Sequence, residues 1–280
     1  MTAFWEREDW DSDALAAFLS ELPESEEAAR ALFLRAAGDR FAGYVRCVLP
    51  AVSRCTGASD ARIIEELLSG LARYYSAMAA GLSAPSVRAL PRWEECRNIL
   101  ASHPALEQPA IILTFQLGRP LLVPPMVATA CRRSVAVYMH SHNPYANLAV
   151  RKTEYPVLAL DVLDPGGRSP FRAVAALGAG SHVLANIDTR YLGTRAMRVP
   201  FLDGALSMPA GVLDLIPRRA RTPVVGLILL FGSNGPVIRT RRLNDPDQSE
   251  FQVRPEAVRD FFEPLVREAP FQWMGWASLQ

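Results

Sequence analysis

Apolar residues recur at three- and four-residue spacing through most of the first hundred positions, which is the spacing of one face of a helix. A Ser-Asp pair of the kind that caps helices opens the first of these segments. The pattern predicts four helices, over residues 12–22, 24–52, 59–82 and 87–104. We therefore expect a helical N-terminal region, residues 1–104, that packs on the core of the protein.

The pattern changes after Pro109, where short apolar runs rich in β-branched residues replace the helical spacing. Runs of this kind, with no polar alternation, are typical of strands buried on both faces. They predict five strands, at residues 109–115, 134–140, 155–162, 181–188 and 222–231. Segments able to form helices precede or separate these strands, at residues 119–133, 143–152, 170–180 and 207–220.

Strands that alternate with helices predict an α/β fold, with a mostly parallel central sheet flanked by helices. The segment "GPVIRTRRL", residues 235–243, predicts an edge strand after a hairpin turn at "GSNG", and residues 254–270 predict a closing helix. We expect the α/β domain to span residues 105–280. Because such sheets bind ligands at the carboxyl ends of their strands, the residues that follow each strand are the first candidates for function.

Composition and charge narrow the class of protein. Half of the 280 residues are apolar, as in ordinary folded proteins, and a net charge of +1 gives no reason to expect a nucleic-acid partner. Four cysteines without paired or metal-ligand spacing predict reduced thiols, no metal site and no cofactor. Without a signal peptide or an 18-residue apolar run, the sequence predicts a cytoplasmic protein, and peripheral contact with the inner face of the membrane stays open.

The second half of the chain carries a specific order of motifs. They are "DT" at the end of a strand at 188–189, "VPFLDG" at 199–204, "SMPAG" at 207–211, "TPVVG" at 222–226 and "PFQWMGW" at 270–276. An earlier segment, "YMHSHNPYANLAVRK", reads as a strand followed by Asn-Pro and a helix. This order resembles that of the lipid A biosynthesis acyltransferases, the lauroyl and myristoyl transferases of the lysophospholipid acyltransferase superfamily. The resemblance covers residues 105 to 277.

The resemblance implies an α/β acyltransferase that takes an acyl group from a carrier thioester, on acyl-carrier protein or coenzyme A, and transfers it to a small acceptor. Family arginines near the "DT" position bind anionic groups, so the resemblance makes Arg190 and Arg195 candidates for donor binding. Asp188 is a candidate for holding the acceptor. The alternative for Asp188 is a carboxylate that caps a turn.

In the family, the first strand of the α/β domain ends in G-H-x-G-N-W-E, where the histidine is the general base and the acid orients it. The glycine aligns with Gly118 of "LTFQLGRPLL", which places Gln116 at the histidine position and Leu121 at the acid position. A shift of register does not restore the pair, because none of the four histidines has an acid five residues later. The sequence therefore lacks the dyad.

The loss bears directly on the reaction. A general base contributes typically about 100- to 10,000-fold to such a transfer, and an amide side chain only donates and accepts hydrogen bonds. Three hypotheses remain open. The acceptor is an amine that needs no base, or another histidine has replaced the base, or the protein is a non-catalytic accessory protein with a degenerate active site that binds an acyl chain or carrier protein or scaffolds another enzyme. His140 or His142 would be the replacement, although "HSHNP" equally reads as a solvated loop that caps the next helix.

We expect the reaction centre at the carboxyl ends of the strands. Gln116, His140, His142 and Asp188 are the catalytic candidates. The substrate-binding candidates are Thr114, Arg119, Asn143, Arg190 and Arg195.

Overall fold

The computed structural model describes residues 26–79, 91–139, 157–161, 169–188, 196–245 and 251–280. The helices in these ranges are α1 (Glu26–Thr56), α2 (Asp60–Ala79), α3 (Trp93–Ala101), α4 (Val123–Cys131), α5 (Ser169–Gly178), α6 (Ile216–Ala220) and α7 (Pro255–Glu268). The strands are β1 (Ile111–Thr114), β2 (Val135–Met139), β3 (Val157–Asp161), β4 (His182–Asn186), β5 (Ala196–Phe201), β6 (Gly204–Pro209), β7 (Val224–Gly232) and β8 (Gly235–Arg242).

Six strands form one sheet, in the order β3-β2-β4-β1-β7-β8. The first five are parallel to their neighbours, and β8 returns antiparallel to β7 through the turn between Gly232 and Gly235. The chain is thus an α/β protein with a mostly parallel central sheet flanked by helices, as its pattern predicts. β4 lies between β1 and β2, so these two strands, the first two along the chain, are not neighbours in the sheet.

The sheet is apolar on both faces, and two layers of side chains cover it. Along β1, Ile111 and Leu113 join the larger core, whereas Ile112 joins the smaller one, as expected where successive side chains point to opposite faces. Buried residues of α1, α2, α5 and α7 belong to the larger core, and those of α3 and α4 belong to the smaller. Full burial of one large aliphatic side chain stabilises a fold by about 1.5–3 kcal/mol, so these layers fix the helices to the sheet.

The N-terminal helices share the larger core with the sheet. Val48 and Val52 of α1 and Ile63 and Leu67 of α2 are at most 1% exposed and belong to the same cluster as residues of β1 and β7. The predicted helix at residues 12–22 lies outside the described residues. No helix in the described part of the chain combines the length and apolar character needed to cross a lipid bilayer.

The helix predicted over residues 207–220 is partly wrong. Residues 204–209 form β6, which pairs antiparallel with β5 in a separate two-stranded sheet, and a wide helical turn and α6 follow. The turn between the two strands holds Leu202, with φ of 53°, and Asp203 instead of the Asn-Gly pair that marks such turns. The signal that was missed is the alternation in β5, where Val199 and Phe201 are buried and their neighbour Pro200 is exposed.

Candidate functional site

Polar side chains interrupt the apolar sheet where β1 and β4 end. Thr114, the last residue of β1, pairs in register with Asn186, the last residue of β4. Gln116 follows Thr114 by two residues, and Asp188 follows Asn186 by two residues. Both Gln116 and Asp188 are buried. These four residues form the carboxyl-edge cluster. Because adjacent parallel strands end at the same edge, the fold brings together Thr114, Gln116 and Asp188, which the sequence names as candidates.

The Asp188 carboxylate is 1% exposed and accepts hydrogen bonds from two directions. The backbone N–H of Gln116 lies 2.9 and 2.8 Å from its two oxygens, and the indole N–H of Trp273 lies 2.7 Å from Oδ2. Burial raises the pKa of the carboxyl to about 7, and the hydrogen bonds from Trp273 and Gln116 act in the opposite direction. Asp188 therefore holds two chain segments together, and this geometry favours a structural role over direct contact with an acceptor.

Residues 272–274 run antiparallel to the segment that follows β1. The backbone N–H of Met274 donates to the carbonyl of Gln116 at 2.7 Å, and the N–H of Gly118 donates to the carbonyl of Gln272 at 3.0 Å. A Cβ on Gly275 would lie 2.6 Å from Asp188 Oδ2, so only glycine leaves room for the carboxylate here. The tail residues thus form one wall of the carboxyl-edge cluster.

An aromatic cluster lies beneath these hydrogen bonds. Phe115 stacks on Phe262 with ring centroids 4.0 Å apart, and Phe201 packs 5.5 Å from Trp273. On the α1 side, the Tyr44 hydroxyl donates to the carbonyl of Met274 at 3.0 Å. Burial, and to a smaller extent the nearby Asp188 carboxylate, raises the pKa of this hydroxyl above its usual value, so Tyr44 stays a hydrogen-bond donor at neutral pH.

Gln272 and Arg119 anchor the same region to β7. The Gln272 amide pairs with both backbone groups of Phe231, donating at 2.8 Å and accepting at 3.1 Å. The Arg119 guanidinium lies 3.8 Å from the centre of the Phe231 ring, within cation–π range. Gly118, with φ of 70°, passes so close to β7 that an added Cβ would lie 1.9 Å from the carbonyl oxygen of Leu229. These contacts hold the backbone of residues 116–119 in place.

The side chains of Gln116 and Asn186 differ from the rest of the site. Gln116 is 4% exposed, and its side-chain amide makes no hydrogen bond to any residue that the structure describes. The Oδ1 atom of Asn186 is buried and has no hydrogen-bond partner. Thr114 makes only a long hydrogen bond, 3.4 Å, to the carbonyl of Phe115. Most buried polar groups in proteins are satisfied, so the unpaired Asn186 Oδ1, which lies at the same sheet edge as the Gln116 amide, indicates a place for a ligand.

The structure places four of the nine predicted site residues, namely Thr114, Gln116, Arg119 and Asp188. The other five lie outside the described residues: His140, His142, Asn143, Arg190 and Arg195. Sequence reasoning missed Asn186, although an asparagine in the apolar run "VLAN" was a visible signal. It also missed the hydrogen bond between Trp273 and Asp188, for which a single sequence carries no signal.

The residues that the structure describes contain no cluster of three or more His, Cys, Asp or Glu side chains suited to a metal ion. The described atoms of the carboxyl-edge cluster are amides, a hydroxyl and a carboxylate that is already bound on both oxygens. Such a set can orient a ligand by hydrogen bonds. It offers no base that is free to take a proton.

Searches of protein-family models and of curated proteins found no match to this sequence. The likeness to the lipid A acyltransferases therefore stays a prediction from the motifs.

Proposed function

We propose that the protein transfers an acyl group from a carrier thioester, on acyl-carrier protein or coenzyme A, to a small amine. The observation that carries the proposal is the meeting of the motif residues. Gln116, Asp188, Phe201 and Trp273 are spread over more than 150 positions, yet hydrogen bonds and ring contacts join them in one network. A generic α/β domain gives no reason for these particular residues to converge at one strand end.

The chemistry of residue 116 favours an amine over an alcohol. A neutral amine attacks the thioester carbonyl directly, so that an N–C bond forms as the C–S bond breaks. The thiolate leaves and takes up the proton that the nitrogen loses. No general base is required before the attack, and Gln116 supplies none. Its amide N–H groups instead suit the developing negative charge on the carbonyl oxygen, a task that donors held in place perform well.

Asp188 serves this function indirectly. It binds the Gln116 backbone and the Trp273 indole, which fixes the position of residue 116 at the strand end. We therefore assign Asp188 a positioning role in the proposed reaction.

The proposal also includes a cytoplasmic location, with peripheral contact to the inner face of the membrane left open. All four cysteines are free thiols, as expected in a reducing compartment.

The test uses the purified full chain with labelled acyl-coenzyme A and acyl-carrier protein, offered to a panel of amines and alcohols. We expect amide products above the uncatalysed rate, with alcohols acylated more slowly. Gln116→Leu removes the amide and shortens the side chain by one atom, and it should lower the rate about 10- to 100-fold, the range for one lost hydrogen bond to a buried or charged group. Gln108→Leu is the matched control, because Gln108 is exposed and precedes β1 at the opposite edge of the sheet. Faster transfer to alcohols than to amines, or equal loss in both variants, would contradict the proposal.

A second function, binding of acyl donors without turnover, is favoured by a separate observation. Asp188 is fully engaged, so the described cluster holds ligand-binding groups but no free base. Tight donor binding with no product across the whole acceptor panel would support this function and exclude the first.

A further inference from the structure

Two side-chain amides lie on the same face of the sheet. Asn186 is the register partner of Thr114, and alternation along the strands places both on the face of Ile112 and Leu184, which α3 and α4 cover. Gln116 comes two residues after Thr114, so alternation places it on this face as well, beyond the end of β1.

Another buried side-chain amide of this protein, that of Asn244, is hydrogen-bonded through both its oxygen and its nitrogen. Asn244, 4% exposed, accepts from the backbone N–H of Val224 at 2.8 Å and donates to the carbonyl of Thr222 at 3.0 Å. Asn186 is only partly buried, but its Oδ1 atom is buried and has no donor. A buried acceptor without a partner lowers stability, so its presence is explained if a ligand supplies the missing donor.

The atoms involved define the chemistry of that ligand. Asn186 Oδ1 needs an N–H or O–H group, whereas the Gln116 amide offers both a donor and an acceptor. Neither side chain is charged, and the one carboxylate of the described cluster, on Asp188, is already bound to Trp273 and Gln116. An ionic group placed here would lose its hydration without gaining a counter-ion, so a neutral group that carries both N–H and C=O fits best.

We propose that Asn186 and Gln116 together bind a secondary amide of the ligand. The ligand N–H donates to Asn186 Oδ1, and the ligand C=O accepts from Gln116 Nε2. This inference rests on the proposed function in one respect: the phosphopantetheine arm of both proposed donors carries two such amides. In that case the arm lies across the ends of β1 and β4, and residue 116 contacts the donor.

The test removes one N–H donor from the ligand. Pantetheine is compared by titration calorimetry with two analogues, each with one amide N–H replaced by an ester oxygen. Wild-type protein should bind pantetheine about 10- to 100-fold more tightly than one of the two analogues, because that ester leaves Asn186 unpaired. Asn186→Leu should abolish this preference. Undetectable pantetheine binding, equal affinity for all three ligands, or an unchanged preference in Asn186→Leu would overturn the inference.

Two further arms sharpen the result. Asn98→Leu makes the same exchange on the exposed face of α3 and should keep the wild-type preference. Coenzyme A at saturation should displace pantetheine if the amide belongs to the donor, whereas binding that survives assigns the amide to the acceptor.

This inference and the proposed function can fail independently of each other. Amide-selective binding without any acyl product would remove the proposed function and leave this inference standing. Acyl transfer at equal rates from the amide and ester forms of the donor would support the proposed function and overturn this inference.

Discussion

The indole of Trp273 donates a 2.7 Å hydrogen bond to the carboxylate of Asp188, a residue 85 positions earlier in the chain. Both residues are almost completely buried. Hydrogen bonds to charged groups contribute about 1.5–3 kcal/mol, roughly twice the value for neutral pairs. This contact, added to the aromatic packing, therefore fixes the tail against the ends of β1 and β4.

Trp273→Phe keeps most of the ring and removes the N–H. We expect the free energy of unfolding to fall by about 3 kcal/mol or more, because the carboxylate loses a donor and the ring loses volume. Trp276→Phe is the matched control, since its indole donates at 2.9 Å to the neutral carbonyl of Pro270. Urea unfolding should show a clearly smaller loss for Trp276→Phe, and equal losses would contradict the importance of the charged bond.

Asp188 should make the protein less stable as the pH rises from about 4 to about 7. Its pKa is 3.8 when unfolded and about 7 when folded, so the folded state binds the proton more tightly over this interval. Stability from this group is complete below pH 3.8 and is lost as pH passes 7, a change on the order of 4 kcal/mol. The difference in unfolding free energy between the wild type and Asp188→Asn, measured at half-unit pH steps, should change by about this amount across the interval. A difference that stays constant with pH would contradict this role for Asp188.

His182 should make the protein more stable as the pH rises from about 4 to 6.5, opposite to the effect of Asp188. It is fully buried, its Nδ1 accepts from the N–H of Ala110, and burial together with Arg133 lowers its pKa to about 4. The unfolded chain binds the proton from pH 6.5 downwards, so stability falls between pH 6.5 and 4 by roughly 3 kcal/mol. The two groups should largely cancel in the wild type.

His182→Asn keeps an acceptor for Ala110, and its unfolding free energy should fall as the pH rises, because only the Asp188 effect remains. In Asp188→Asn the unfolding free energy should rise with pH, because only the His182 effect remains. A flat profile in all three proteins would contradict both assignments.

Asn186→Leu should make the protein more stable while it weakens ligand binding. Replacing the buried, unpaired Oδ1 of this partly buried residue with an apolar side chain of similar volume removes a penalty of about 1–3 kcal/mol. Asn244→Leu should do the opposite, because it breaks hydrogen bonds to Val224, Thr222 and Phe251. Thermal unfolding of the two variants beside the wild type checks this, and a loss of stability in both would identify Asn186 as a structural residue.

Gln116→His combined with Leu121→Glu restores the residue types that the resemblance places at these positions. If the site has lost only its base, alcohols should become acceptors, with a gain of up to about 100-fold over the wild type. Product analysis with the same donor and acceptor panel measures the gain. Gln116→His alone is the control and should gain less, because the acid that orients the imidazole is missing.

The sequence predicted the elements of this fold better than their arrangement. β1, β4 and β7 lie in largely apolar runs, which are typical of strands buried on both faces of a parallel sheet, so their existence followed from local composition. The position of β4 between β1 and β2 depends on long-range packing that a local pattern does not encode. The β5–β6 hairpin was missed although Asp203-Gly204 is a turn signal, because that pair is offset by one residue from the loop itself, which consists of Leu202 and Asp203.

Only part of the candidate site was predicted, because local sequence marks strand ends but not the contacts between distant segments. Strand ends are recognisable, and Thr114, Gln116 and Asp188 were named from them. The alignment of residues 272–274 with residues 116–118 joins segments more than 150 residues apart, and nothing near Gln116 in the sequence signals it. The role of Asp188 depends on that pairing, which the structure defines and the local sequence does not encode.

Residue 116 separates the fold from the chemistry within a single amino acid. Its peptide group donates to Asp188 and accepts from Met274, and these bonds are available to every residue type except proline. Its side chain takes no part in them. The side chain at position 116 can therefore change, and the chemistry it supplies can change with it, while the backbone contacts around it stay the same.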